Sequence, residues 1–265
     1  MGVLVSNIVA IYRKELQSYF ASPFTYVITG VFWFISGLFF AAILLGPTGV
    51  IAQVAAQDQF GGGAPVDVPS QFLIVYLGVI GSLALFILPM LSMGLYAEER
   101  KRGTLELLAT SPITNWAVAV GKLLGVLTFF FTMTVPLLIY EAIAFLSADP
   151  PANPVLLLVA HGGLLLLAAA VLSLGMFVSS LTDSTILSAV LTFGLMLMLW
   201  VTDLIASGVQ GPVGEAIAHL SLLTSYGNLI QGIVETSDLV LFASYIVLGI
   251  FLTAQSIELL RYQRS

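Results

Sequence analysis

Apolar residues run in long stretches along this chain, broken by short polar or proline-rich segments. A bilayer core about 30 Å thick is crossed by about 20 apolar residues in a helix, and the stretches reach that length. They predict six spans at about 24–46, 71–96, 118–146, 155–178, 185–207 and 239–259. Residues 3–22 read differently. Leu4, Ile8, Ile11, Tyr12, Leu16, Tyr19 and Phe20 recur at helical spacing, with Ser6, Asn7, Arg13, Lys14, Gln17 and Ser18 mostly opposite them. The pattern predicts an amphipathic interface helix lying in the headgroup plane and broken at Pro23.

The breaks complete the plan. Segment 47–70, with Gly61, Gly62, Gly63, Pro65 and Pro69, reads as an external loop. Segment 97–117 is the sizeable cytoplasmic loop, 147–154 an external turn, and 179–184 a short cytoplasmic turn. Segment 208–238 is too long for a plain turn and too polar for a span. Its apolar pieces, Ala216 to Leu223 and Leu229 to Val234, predict short external or re-entrant helices packed against spans five and six. The fold class is an all-α polytopic membrane protein, with residues 1–265 forming one transmembrane domain and no convincing internal repeat.

Charge orients this plan. Arg13, Lys14, Arg100, Lys101, Arg102, Lys122, Arg261 and Arg264 are all the basic residues, and six spans put every one on the same side. Lys and Arg stay on the cytoplasmic side, so both termini and residues 97–117 are expected there. The hydrophobic fraction of 59% and charged fraction of 8% exclude a soluble domain, where roughly 45–50% and about 25% are usual. The basic residues sit in small juxtamembrane groups, which gives nucleic-acid binding no support. Cysteine is absent, which excludes disulfides and thiolate metal sites. The first span lacks a signal-peptide cleavage plan and is expected to remain as an anchor.

Candidate chemistry concentrates at 98–122. Glu98-Glu99-Arg100-Lys101-Arg102 extends a helix that pauses at Gly103; Thr104-Leu105-Glu106-Leu107-Leu108 then forms a short helix across the membrane face. Its leucines could dock into a partner's groove while Glu106 sets the register. The same residues also fit a solvated loop that only sets topology. Gly121-Lys122 lacks the glycine and the Ser or Thr of a phosphate loop, so the chain holds no nucleotide site. Glu141 and Asp203 fall near the external ends of spans three and five, where interfacial water or neighbouring groups would relieve their charge. His161 and His219 are isolated from ligand partners, Asp183 suits a helix cap, and no catalytic, cofactor or metal residues are assigned. Gly121 and Gly125 permit close helix contact. Pro89 and Pro136 should kink spans two and three, and Trp33, Trp116 and Trp200 suit packing or interface anchoring.

The run Glu98 to Pro112, followed by Gly121-Lys122, resembles the coupling segment of type-2 ABC export permeases. Arg13-Lys14-Glu15-Leu16 with Tyr19 to Pro23 resembles that family's N-terminal helix, and Gly232 to Glu235 with Asp238-Leu239 its approach to the last span. The combination is most similar to the bacterial gliding-motility permease. The resemblance implies a permease subunit in the bacterial cytoplasmic membrane, paired with a second copy or a related permease. Cytosolic ATPases, which bind the ATP and Mg, would dock on it. Coupling would involve Glu99, Thr104, Leu105, Glu106, Leu107 and Leu108, and the N-terminal helix would present Arg13, Lys14 and Glu15. A non-transporting membrane anchor of a motility or envelope assembly is an alternative, and so is an intramembrane lipid-modifying enzyme, which would need clustered carboxylates or His residues where the sequence offers only separated ones.

Overall fold

In the computed structural model, residues 2–59, 67–105, 113–148, 152–208, 211 and 219–262 are described, and these form helices joined by turns, without strands. The order is α1 (Gly2–Ala21), α2 (Pro23–Leu45), α3 (Val50–Gln59), α4 (Val68–Ser92) and α5 (Ala97–Lys101). There follow α6 (Asn115–Leu146), α7 (Pro154–Leu181), α8 (Thr185–Gly208), α9 (Leu222–Ile230) and α10 (Thr236–Tyr262). Among the described residues, six helical stretches are long and apolar enough to cross a membrane: 23–57, 68–101, 115–146, 154–181, 185–202 and 236–259.

Local chemistry sets the helix ends. Ser22 is extended (φ −86°, ψ 120°), as the residue before a proline prefers, and Pro23 opens α2 where its missing N–H costs nothing. Asp67, Thr114 and Asn153 cap α4, α6 and α7, each accepting a backbone N–H of the first turn. The expected Asp183 cap is displaced by one residue. Ser184 stands before α8 and its Oγ accepts from the Leu187 N–H at 3.3 Å. Segment 47–70 is not simply a loop, because α3 occupies residues 50–59.

The central helix is α7, buried along most of its length from Leu157 to Ser180. Small residues let its neighbours approach: a Cβ at Gly249 of α10 would stand 2.6 Å from the Ser173 carbonyl carbon. Within 208–238 the described residues include the short helix α9, which touches spans five and six as expected but has its main seat elsewhere. It lies on α7 and α4, where Leu229 meets Gly163 and the Tyr226 ring meets Gly81. Glycine at both positions leaves the hollow that a side chain would fill, and the Tyr226 hydroxyl donates to the Leu77 carbonyl at 2.6 Å. Gly232, at φ +78°, turns the chain out of α9, and Asn228 Nδ2 donates to Asp238 Oδ2 at 3.1 Å at the start of α10.

Helix α1 packs lengthwise along the first half of α6, in the same direction. Ile8 and Ile11 lie against Gly121, Tyr12, Glu15 and Leu16 against Gly125, and the Tyr19 and Phe20 rings against Phe129.

Candidate functional site

Where α1, α5 and α6 meet, opposite charges are buried together. Glu15 faces α6 from the side of α1 that packs on Gly125, and its Oε1 accepts from Lys122 Nζ at 2.6 Å. Lys122 Nζ also lies 3.1 Å from Oε1 of Glu99 on α5. Lys14, next in sequence to Glu15, reaches the same Glu99 oxygen at 3.0 Å from the solvent side. Two cations and two carboxylates therefore close a neutral cluster. Only Lys14 is well exposed; the Lys122 side chain retains 2% of its accessibility, Glu15 10% and Glu99 15%. The buried Tyr96 ring adds a face 5.0 Å from Lys122 Nζ, a cation–π distance. Desolvation pulls the Lys14 pKa down, but the Glu99 carboxylate outweighs it, so the ammonium is held above the ordinary lysine value.

The cluster stands beside a break in the helix path. Between α4 and α5, residues 93–96 form a turn whose backbone groups cannot all bond within a helix. Ser179 of α7 supplies the partner. Its Oγ accepts from the N–H groups of Tyr96 and Ala97, both at 3.0 Å, and donates to the Met93 carbonyl at 2.8 Å. Arg100 of α5 donates to the Ser180 carbonyl at 2.9 Å. Alanine at position 179 would leave two buried N–H groups without an acceptor. We expect a loss of about 1–3 kcal/mol, read by thermal melting in detergent, whereas Ser179→Thr, which keeps the oxygen, should lose less. Equal losses for the two variants would mean that packing, not the hydroxyl, holds the turn.

Beyond α5, Gly103 takes φ +71°, a left-handed conformation that ends the helix, and Thr104 Oγ1 donates to the Glu99 carbonyl at 3.2 Å. A cavity of about 950 Å³ opens between α1, the start of α2, and the α4–α5 turn; Lys14, Glu15, Glu99, Thr104 and Lys122 line its polar part. Of the sequence candidates, Lys14, Glu15 and Glu99 converge here. Arg13 is exposed on α1, and Leu105 is buried just past Gly103. Glu106, Leu107 and Leu108 lie outside the described residues. Sequence reasoning used Lys122 for orientation and family resemblance but missed its place in this cluster, and it missed Tyr96 and Ser179. A single lysine inside an apolar helix between two glycines was the available signal for Lys122.

A second polar pair lies near the other end of α6. Glu141 is fully buried, so it does not reach interfacial water. His161 is not isolated: its Nε2 stands 3.4 Å from Glu141 Oε2. Helices α6 and α7 pack on each other and bring residues 20 apart in sequence face to face. The side chain of Asp203 lies outside the described residues. Among the described residues, no three or more His, Asp or Glu side chains gather as metal ligands.

The family model described as ABC-2 family transporter protein matches residues 9–262, nearly the whole chain. A search of curated proteins found none that matches.

Proposed function

The chain belongs to the ABC-2 transporter family, and on that premise we propose that it is the membrane permease subunit of an ATP-driven exporter. ATP and Mg are bound by a separate cytosolic ATPase, and the permease works as a pair with a second copy or a related permease. The basic end of the bundle faces the cytoplasm of a bacterium, and both termini lie there. Within the family, the motifs at 13–23 and 98–112 favour kinship with the gliding-motility permeases.

The observation that carries this reading is the charge cluster of Glu15, Glu99 and Lys122. A coupling element has to pass a push from the ATPase into the spans without absorbing it in loose side chains. Segment 97–117 receives the push, and Glu99, Thr104, Leu105, Glu106, Leu107 and Leu108 are its coupling residues. Glu99 is bound to Lys122 of α6, and Lys122 to Glu15 of α1. Parting these groups would strand charge away from water, so the three helices move as one body. The Ser179 turn lets α5 change direction from α4 while remaining tied to α7.

The test is co-purification of the ATPase and ATP-driven export in liposomes. Glu106→Ala should weaken the complex or uncouple hydrolysis from export while the permease still inserts and folds, because truncating one partner of a buried interfacial charge pair costs about 2–5 kcal/mol. Glu98→Ala, which removes a pair with Arg102 at the exposed surface, should do less. Unchanged binding and export after combined substitution of Leu105, Glu106 and Leu108 would remove this segment as the coupling element.

A further inference from the structure

We propose that Glu141 and His161 form a proton-binding site beneath α9, with Glu141 holding the proton as a neutral carboxylic acid. The hydrogen-bond geometry carries the inference. His161 Nδ1 lies 3.1 Å from the Leu157 carbonyl, which can only accept. Nδ1 therefore bears a hydrogen, and in a neutral ring Nε2 is a bare lone pair. That lone pair faces Glu141 Oε2 at 3.4 Å. Neither carboxyl oxygen nor Nε2 has a hydrogen-bond partner. Without a proton between them, an acceptor would face a carboxylate in a site closed to water. One proton removes the conflict. On Glu141 it leaves both groups neutral. On His161 it would create a buried ion pair in which the imidazolium N–H, 3.4 Å away, is the one donor facing the carboxylate and the second carboxyl oxygen stays unpaired, the costlier arrangement.

Among the described residues, nothing around the pair offers another counter-charge. From α4 and α9, Tyr76 and Tyr226 lie within electrostatic range of Glu141. Their hydroxyl hydrogens are committed to the Ser36 and Leu77 carbonyls. Tyr140 is Glu141's neighbour on α6. Helix α2 carries no Asp, Glu, Lys, Arg or His; Asp238, on α10, accepts from Asn228; and the α1 charges Lys14 and Glu15 are in the cluster at the basic end.

The site is shallow but covered. Glu141 lies five residues before the end of α6, about 8 Å along the helix. Over it, α9 seats Tyr226 on Gly81 and Leu229 on Gly163, two residues beyond His161. Proton exchange therefore requires α9 to lift. Water then takes the carboxyl proton, and the carboxylate left behind opposes reseating of α9 until a proton returns. In the orientation proposed above, that proton comes from outside the cell, and external pH sets how firmly α9 closes.

The full chain in lipid nanodiscs tests this. Infrared spectroscopy near neutral pH should show the C=O stretch of a protonated carboxyl that disappears in Glu141→Gln and shifts in His161→Asn. Thermal stability against pH provides the linkage. In the unfolded chain the pair binds two protons below about pH 4.3 and none above about 6.5, whereas the folded pair keeps one throughout. The folded state then holds more protons than the unfolded state above about 6.5, so the pair's stabilisation falls as pH rises from there. Glu141→Gln should abolish that alkaline decline, and His161→Asn should retain it. Absence of a protonated-carboxyl band in the wild type overturns the proposal whatever the variants do. So does a band that neither substitution moves, or an alkaline decline of equal size in wild type and Glu141→Gln.

Discussion

Lys122→Met should destabilise the protein by about 3–5 kcal/mol, the cost of leaving buried carboxylates without their cation. Methionine fills much the same unbranched volume, so the loss is electrostatic rather than a cavity. Glu15 loses its 2.6 Å partner and Glu99 keeps only Lys14, whose side chain is 66% exposed and screened by water. The Tyr96 ring loses its cation as well. Removing Lys14 instead should cost less than about 1 kcal/mol, because that pair is open to solvent. The comparison by thermal melting in detergent therefore separates the buried half of the cluster from the exposed half. Adding Glu15→Gln to Lys122→Met should restore part of the loss by removing one stranded charge. A Lys122→Met protein that melts with the wild type would show that water reaches Glu15 and Glu99 and that the cluster is not closed.

The span plan was legible because lipid imposes a length and a composition that residues cannot disguise. Segments such as Leu156 to Leu174 read as spans on apolar content alone. Pairing between spans carries no comparable local signature. Glu15 and Lys122 are 107 residues apart, and no periodicity says that α1 lies along α6. Gly121 and Gly125 were visible as a spacing, but a glycine pair does not name its partner helix. His161 seemed isolated because the packing of α7 on α6 that sets it against Glu141 is a tertiary event. Helix α9 was legible as an ordered piece, while its seat was not: Gly81 and Gly163 make the hollows that draw Tyr226 and Leu229 onto α4 and α7. Ser179 gave no signal, since a serine in a span commonly bonds within its own helix, and only the break at 93–96 gives it a different task.

Leucine at Gly125 should part α1 from α6 and lower stability by about 1–3 kcal/mol or more, as overpacking of a close contact does. A Cβ there would stand 2.7 Å from the Glu15 Cβ, and one at Gly121 2.8 Å from the Ile11 Cβ. The crowding atoms are at the root of each side chain, so rotation cannot clear them and the helices must move. The displacement falls on Glu15, whose carboxylate is fixed by its short bond to Lys122. The steric and electrostatic losses therefore fall on the same contact and should exceed the effect of leucine at Gly30 or Gly37, where a Cβ meets nothing within 4 Å. The natural chain has no cysteine, so a single engineered pair reports the separation. Tyr19→Cys with Phe129→Cys replaces two rings stacked at 5.3 Å between centroids. That pair should cross-link readily in the parent and slowly when Gly125→Leu is added, with the Gly30→Leu control unaffected. Equal cross-linking in all three would show that α1 tolerates a side chain at position 125, and the close approach of the two helices would no longer explain how Glu15 reaches Lys122.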